Sequence, residues 1–350
     1  MDNENTVPIY YDGTKLLSLK DINGQTPWLY ICTTNRTGGK TTYFGRMLCN
    51  GFIKKQKKFM LLYRYAYEIE NVAEKFFKDI KPLFFPEYVM TEQLKEKGVY
   101  DELFLNGSAC GYAVALNKSE QVKKLSHLFN DVDVILMDEF QSETNNYVPK
   151  EVTKFLSIYK SVARGQGKQV RYVPVIMCGN PVTLLNPYYV SLGISSRLNS
   201  KTKFLKGDGF VVEQGYNESA SLAQEQCGIF RAFKDETYSA YSGQGVYLND
   251  NLAFIEKPTG FSRYMCTIKY DGTNYGVRQF DESGVVYCDN VPDLTYPLKI
   301  TVNTEDHEIN YVMLRNNSVT ISALRWYFEK GCFRFKDLRC KEAILNCLSL

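Results

Sequence analysis

The sequence predicts an α/β protein in parts: a mainly parallel sheet flanked by helices over residues 1–213, a linker with a lone helix over 214–250, and a smaller α/β domain with antiparallel strands over 251–350. Three observations carry this. Short apolar runs alternate with amphipathic stretches through the first part, the signature of strands joined by helical crossovers. One of those runs passes through Gly39-Lys40-Thr41 into a helical pattern. Beyond the linker the apolar period becomes two on either side of Asp271-Gly272, a strong hairpin signal.

The elements follow in order. "PWLYICTT" reads as a buried strand, "KTTYFGRMLCNGFI" as the helix leaving it, and "KFMLLYRY" as a second strand. "NVAEKFFKDI" is helical, "ELFLNGSACGYAVALN" a hairpin and "SEQVKKLSHLF" another helix. "VDVILMDEF" is a fully buried strand, "PKEVTKFLSIYKSVARG" a helix and "YVPVIMCGNP" a further strand. After "KGDGFVVEQG" come the helix "NESASLAQEQCGIFRAF" and the turn-rich "YSAYSGQGVYLNDN". The last part reads as the hairpin "RYMCTIKYDGTNYGVRQF", the strands "GVVYCDNV", "LKITV" and "INYVML", and helices at "SALRWYFEKG" and "FKDLRCKEAILNCL".

Bulk properties exclude more than they assign. A hydrophobic fraction of 44% with 23% charged residues is that of a folded globular chain. With 42 basic and 39 acidic residues, a nucleic-acid surface has to be a local patch. Ten cysteines without a C-x-x-C pair, and only two histidines, suggest neither a zinc cluster nor a disulfide framework, so reduced thiols are expected. The acidic, polar "MDNENTVPIYYDG" does not read as a secretory signal, and no apolar run approaches bilayer length. A soluble, intracellular protein is expected.

The chemistry is concentrated in "YICTTNRTGGKTTYFGRML", where Gly39, Lys40 and Thr41 fall in the order of a phosphate loop while Thr34 stands at the place of its first glycine. In such a loop the backbone N–H groups and the helix N-terminus hold phosphate oxygens, the lysine neutralises β/γ charge and the hydroxyl ligates Mg²⁺. This assigns Arg36, Thr37, Gly38, Gly39, Lys40, Thr41 and Thr42 to the nucleotide and Thr41 to the metal. A Gly-Lys-Thr turn can also merely cap a helix. The second motif, "DVDVILMDEF", argues against that: Asp138 at a buried strand tip suits the Mg²⁺ water shell, and Glu139 suits activation of a water for in-line attack. Together they point to ATP hydrolysis.

"NRTGGKT" is similar to the phosphate loop of the large terminase subunits and packaging ATPases of tailed bacteriophages, which replace the early glycine and carry an arginine, here Arg36, inside the loop. The likeness continues through "ILMDEF", "VPVIMCGNP" and "ISSRLNSKTKFLKGDGFVVEQ", and in this order the motifs resemble the encapsidation ATPases of small podoviruses. The resemblance implies an ASCE, terminase-like P-loop NTPase domain followed by an RNase H-like, degenerate nuclease domain. It implies ATP and Mg²⁺ as cofactors, double-stranded DNA as substrate, and a viral prohead or portal as partner, with an RNA or connector component where one is present. It further implies a homo-oligomeric ring, a pentamer, working in the host cytoplasm while docked on the prohead, with no membrane partner.

The same likeness makes Asn180 a coupling residue that senses the γ-phosphate, although an Asn before Pro181 also suits a simple turn. It makes Arg164 an arginine finger offered to the neighbouring subunit; an exposed arginine at a helix end is the plain alternative. Lys124, Arg171 and Arg197 are lesser candidates for that contact. Gln25, Pro27 and Trp28 are candidates to flank the adenine, with core packing of Trp28 as the alternative.

A motor that grips DNA without reading bases needs basic and polar loops. Lys54, Lys55, Lys57 and Lys58, and the loop "QSETNNYVPK" with Asn145 and Asn146, qualify by type and position, while a charge run is also an ordinary solvated face. In the last domain the strand "RYMCTIKY" holds Thr267 and Lys269 where a two-metal nuclease needs a carboxylate, so cleavage is not expected. From Arg325 to Lys341 basic residues are interleaved with Trp326, Tyr327, Phe328, Phe333 and Phe335, which suits nucleic acid, a prohead component or inward packing. Two other functional classes stay open at this level, a stand-alone P-loop phosphotransferase and a non-hydrolysing nucleotide-gated module.

Overall fold

The computed structural model describes residues 10–144, 146–165, 167–195, 197–198, 202–232, 254–301, 304–313 and 318–348. The turn-rich stretch of the linker and Asn145 lie outside the described residues. Internal contacts divide the chain into two units, Met1–Ser191 with Leu198–Asn249, and Leu192–Arg197 with Asp250–Leu350.

The first unit is built on strands β1 (Leu29–Thr33), β2 (Lys58–Tyr63), β3 (Met90–Lys95), β4 (Tyr100–Leu105), β5 (Ser108–Ala115), β6 (Val132–Asp138), β7 (Val175–Gly179), β8 (Phe204–Gly207) and β9 (Phe210–Gln214). They form one nine-stranded sheet in the order β3-β4-β5-β2-β6-β7-β1-β9-β8. From β5 to β9 the neighbours run parallel, and the antiparallel β3–β4–β5 and β8–β9 pairs finish the two edges. The central strands are covered on both faces, which is why "KFMLLY" and "VIMCG" are almost unbroken apolar runs.

The helix Lys40–Lys55 packs Phe44, Leu48, Cys49 and Phe52 onto the sheet at helical spacing and stops at Gln56, whose φ of 53° is left-handed. The helix Glu151–Val162 buries Phe155, Ile158 and Val162 in the same way. Because the central strands are parallel, the chain leaves β1, β2, β6, β7 and β9 at one edge of the sheet, where open α/β folds bind ligands.

The second unit holds a six-stranded sheet of β10 (Ser262–Tyr270), β11 (Thr273–Phe280), β12 (Val285–Asp289), β13 (Lys299–Thr301), β14 (Val312–Met313) and β15 (Phe333–Phe335), in the order β14-β13-β10-β11-β12-β15. The β10–β11 hairpin turns at Asp271 (φ 50°) and Gly272 (φ 69°), the two left-handed residues that a tight hairpin turn requires. An antiparallel β10–β11–β12 meander with β13 and β14 parallel to its first strand is the arrangement expected of an RNase H-type domain. At the position in question β10 carries Lys269, ion-paired with Glu308 at 2.5 Å, and the fully buried Thr267. In the basic, aromatic C-terminal stretch, Phe333 and Phe335 stack in the core and Trp326 faces outward, so the inward-packing alternative holds for part of that segment.

Candidate nucleotide site

The loop from Thr34 to Gly39 links the end of β1 to the helix Lys40–Lys55. Thr37 and Gly39 take left-handed backbone, with φ of 60° and 88°, which turns the chain tightly into the helix N-terminus. Thr34 fits in place of a glycine because its surroundings yield. A Cβ on Gly215 would stand 2.9 Å from the Thr34 methyl, and one on Gly38 3.0 Å from its hydroxyl, so both neighbours have to be small.

Lys40 is buried, and its ammonium donates to Asn180 Oδ1 at 2.6 Å. Asn180 follows β7, which lies between β1 and β6. In register, Cys32, Cys178 and Asp138 stand side by side across these three strands. The Asp138 carboxylate accepts from the Cys178 thiol at 3.3 Å and from the Glu139 backbone N–H at 3.0 Å, both on Oδ1. Asp138 is half-buried, and Thr41 is exposed at the first turn of the helix. One carboxylate and one hydroxyl beside a phosphate cradle are a donor set that fits Mg²⁺, which keeps its remaining positions for phosphate oxygens and water.

Glu139 sits beyond the strand tip with φ of 52°. Although its side chain is partly open to solvent, the protein packed round the carboxyl, followed by the Asp138 charge, raises its pKa above the ordinary glutamate value, while Arg36 and Lys40 pull it down. The turn is fixed from below by Arg64 at the end of β2. Its buried guanidinium donates to the Glu139 and Phe140 carbonyls at 3.4 and 2.8 Å and pairs with buried Glu151 at 2.9 Å. Glu151 also accepts from Val148 N–H and the Tyr188 hydroxyl. Arg36 reaches out of the phosphate loop to Glu143 at 2.8 Å, in the loop that follows Glu139. Arg36, Arg64, Glu68, Glu139, Glu143 and Asn180 line a cavity of about 230 Å³.

A second set of contacts comes from the segment after β9. Asn35 and Asn217 exchange hydrogen bonds of 3.0 and 2.8 Å, Asn217 Nδ2 donates to Gly38 O at 3.2 Å, and Gln224 Nε2 donates to the Thr37 hydroxyl at 3.2 Å. Asn217 caps the helix Glu218–Gln226 at the same time. This helix therefore rests on the phosphate loop. On the other side Tyr11 N–H donates to Gly38 O at 2.7 Å, its hydroxyl to Glu213 at 2.6 Å, and the Tyr10 ring covers Gly39. Sequence reasoning missed Arg64, Glu151, Asn35, Asn217 and Tyr11; "YYDG" close ahead of β1 was a visible but non-specific signal.

Several candidates stand elsewhere. Gln25, Pro27 and Trp28 precede β1 and so lie toward the end of the sheet opposite the phosphate loop, where the Trp28 ring meets Tyr172 edge-on at 5.1 Å; this position speaks against an adenine contact. Arg171 is buried and donates to the Val132 and Val162 carbonyls, a structural staple that is not available to a neighbour. Arg164 is exposed at the far end of the helix Glu151–Val162 and donates to the Ser126 hydroxyl. Lys124 and Arg197 are exposed.

Lys58 is drawn into an ion pair with Asp131 at 2.7 Å, whereas Lys54, Lys55 and Lys57 rim a cavity of about 470 Å³ with an apolar floor. Asn146 is exposed and accepts from the Tyr65 hydroxyl at 2.9 Å. The lysines and Asn146 do not form one patch, because the lysines end the phosphate-loop helix and Asn146 lies near its start.

A parallel sheet that presents a phosphate loop, an acidic strand tip and a polar strand end between them defines a P-loop ATPase of the additional-strand class. The sequence model of the podovirus DNA encapsidation protein (Gp16) matches residues 5–348, and the chain belongs to that family. It is 26% identical over 333 residues to the DNA packaging protein of Bacillus phage phi29, covering 94% of each chain, and 25% identical over 292 residues to that of Bacillus phage B103, covering 82% and 85%. A chain of the bacteriophage phi29 viral genome packaging motor assembly superposes with a TM-score of 0.70 at 23% identity over 97% of both chains, which shows a shared fold.

Proposed function

We propose that this chain is the ATP-hydrolysing subunit of a motor that drives double-stranded viral DNA into a preformed prohead, acting in the host cytoplasm as a homo-oligomeric ring that the family resemblance makes a pentamer. One observation carries the reading: Lys40, Asn180, Asp138 and Glu139, scattered over a hundred and more positions of sequence, meet at the ends of three adjacent strands.

In this proposal the backbone of Arg36 to Thr42 cradles the phosphates and Lys40 neutralises their charge. Thr41 and Asp138 would hold Mg²⁺, which would supply further neutralisation of phosphate charge. Glu139 accepts the proton of the attacking water, a role for which a carboxylate with a raised pKa is suited. Asn180 stands beside Lys40 where a γ-phosphate arrives. Arg164 is offered to the next subunit, and Lys54, Lys55, Lys57 and the loop holding Asn145 and Asn146 face the DNA. The second unit, with Lys269 where a metal-binding carboxylate would stand, binds a partner and does not cut.

ATP hydrolysis measured with and without long double-stranded DNA, over a range of protein concentrations, tests the proposal. Specific activity is expected to rise with concentration as shared sites assemble, and to rise again with DNA. Turnover independent of both would refute it.

A further inference from the structure

Gln141 follows Glu139 by two residues, at the buried side of the same cavity. Its side chain is 4% exposed, and its Oε1 accepts from Val182 N–H at 3.0 Å and Thr183 N–H at 2.8 Å, in the loop that begins with Asn180. A methionine or leucine would fill much the same space but would withdraw this acceptor from the two backbone N–H groups, so what the side chain contributes here is its carbonyl oxygen.

The two loops touch at further points. Phe140 N–H donates to Cys178 O at 3.3 Å, and a Cβ on Gly179 would stand 3.1 Å from the Phe140 ring, which leaves no slack between them. Val182 N–H closes back on Asn180 O at 2.9 Å, so the Asn180 turn is compact.

From this geometry we infer that Gln141 is a positioning residue that ties the Asn180 loop to the Glu139 turn, so that a displacement of Asn180 is passed through the carboxamide to Glu139 and to the loop of residues 142–150. The inference rests on the proposal that Asn180 senses the γ-phosphate and Glu139 activates water. Occupation of the phosphate site changes what Lys40 and Asn180 bond to. A rigid link then sets Glu139 in register with that change, and without the link nucleotide binds normally while Glu139 is no longer placed for attack.

The test uses the full chain with long double-stranded DNA. Gln141→Met is expected to lower kcat by about tenfold or more while equilibrium affinity for a non-hydrolysable ATP analogue stays within about twofold, the mark of an effect on the chemical step alone. Gln141→Asn, which keeps the amide but withdraws its oxygen, is expected to act in the same direction and guards against misfolding of the first variant. In a double variant with Asn180→Ala the losses are expected not to multiply, because both changes break one chain of contacts.

Wild-type kcat in either folded Gln141 variant, losses that multiply, or an equal fall in nucleotide affinity would overturn the inference. Glu139→Gln and Asn180→Ala alone keep the two levels apart. If either turns over at the wild-type rate, the reading of the site itself fails. If both are impaired and Gln141→Met is not, only the link fails.

Discussion

Lys40 Nζ donates to Asn180 Oδ1 over 2.6 Å, joining the phosphate loop to a strand end 140 residues further along the chain. Lys40 is only 7% exposed, so its charge needs a partner within the protein, and Asn180 provides it. In the proposed function a phosphate entering the loop competes for the same ammonium, which would couple the Asn180 loop to what occupies the cradle.

Asn180→Ala leaves the Lys40 ammonium buried without that acceptor. Loss of a hydrogen bond to a charged group is expected to cost about 1–3 kcal/mol of stability without nucleotide. Saturating ATP analogue supplies phosphate oxygens in its place, so the deficit is expected to shrink. Thermal unfolding with and without analogue reads this, and a deficit that nucleotide leaves unchanged would show that Lys40 does not exchange partners.

Glu139→Gln is expected to retain nucleotide affinity and to lose hydrolysis by about 100-fold or more, the usual scale for removing a general base. The pKa of Glu139 is raised, first by burial and then by Asp138, so the carboxyl takes up its proton at a higher pH than a free glutamate, whose value is 4.5. The acidic limb of the kcat/KM profile, which reports the free protein, is accordingly expected above that value, with activity lost as pH falls through it. A limb at or below the free-glutamate value would separate Glu139 from the step.

Asp101 on β4 is buried, and burial first, then the Glu92 charge, push its pKa up from 3.8 to about 6. The folded state holds this proton more tightly than the unfolded chain. Stability is therefore full below about pH 4, declines between that pH and about 6, and is level above it as far as this group is concerned. Asp101→Asn is expected to stabilise the protein at pH 7 by about 1–2 kcal/mol, and hardly at all at pH 4. Urea unfolding at the two pH values decides, and an equal effect at both would mean that the charge is not the cause.

The parts of the site that were legible in sequence are those written in contiguous residues. The run Val134–Met137 of β6 and the whole of β7 are apolar, as strands with neighbours on both faces require, and the polar residues at their ends, Asp138, Glu139 and Asn180, could be placed in order. Strand polarity also speaks against Trp28 at the adenine: a residue before a strand and a loop after it lie at opposite ends of the sheet. What could not be read was carried by single polar side chains across long separations. Arg64 meets Glu151 over 87 residues and Asn35 meets Asn217 over 182, with no local pattern to announce either. The edge strand β3, "MTEQLK", and the three-residue β15 escaped for another reason. A short or charged edge carries little apolar period, as protection against stray pairing requires.

Arg164 lies at the end of the helix Glu151–Val162, against Ser126 and next to Gly165, which abuts Asn130 just ahead of β6. That is the start of the strand whose other end bears Asp138, so Arg164 and Lys40 of one chain face opposite edges of the sheet. A catalytic role for Arg164 consequently requires a second copy in a head-to-tail arrangement. Arg164→Ala and Lys40→Ala proteins are each expected to be inactive. Mixed in equal amounts, about a quarter of the interfaces in randomly assembled rings pair an intact Lys40 with an intact neighbouring Arg164, and a corresponding share of activity is expected to return. The share should vanish when either protein is in large excess. Mixtures that stay silent at every ratio would remove Arg164 from the shared site and leave it an ordinary helix-end arginine.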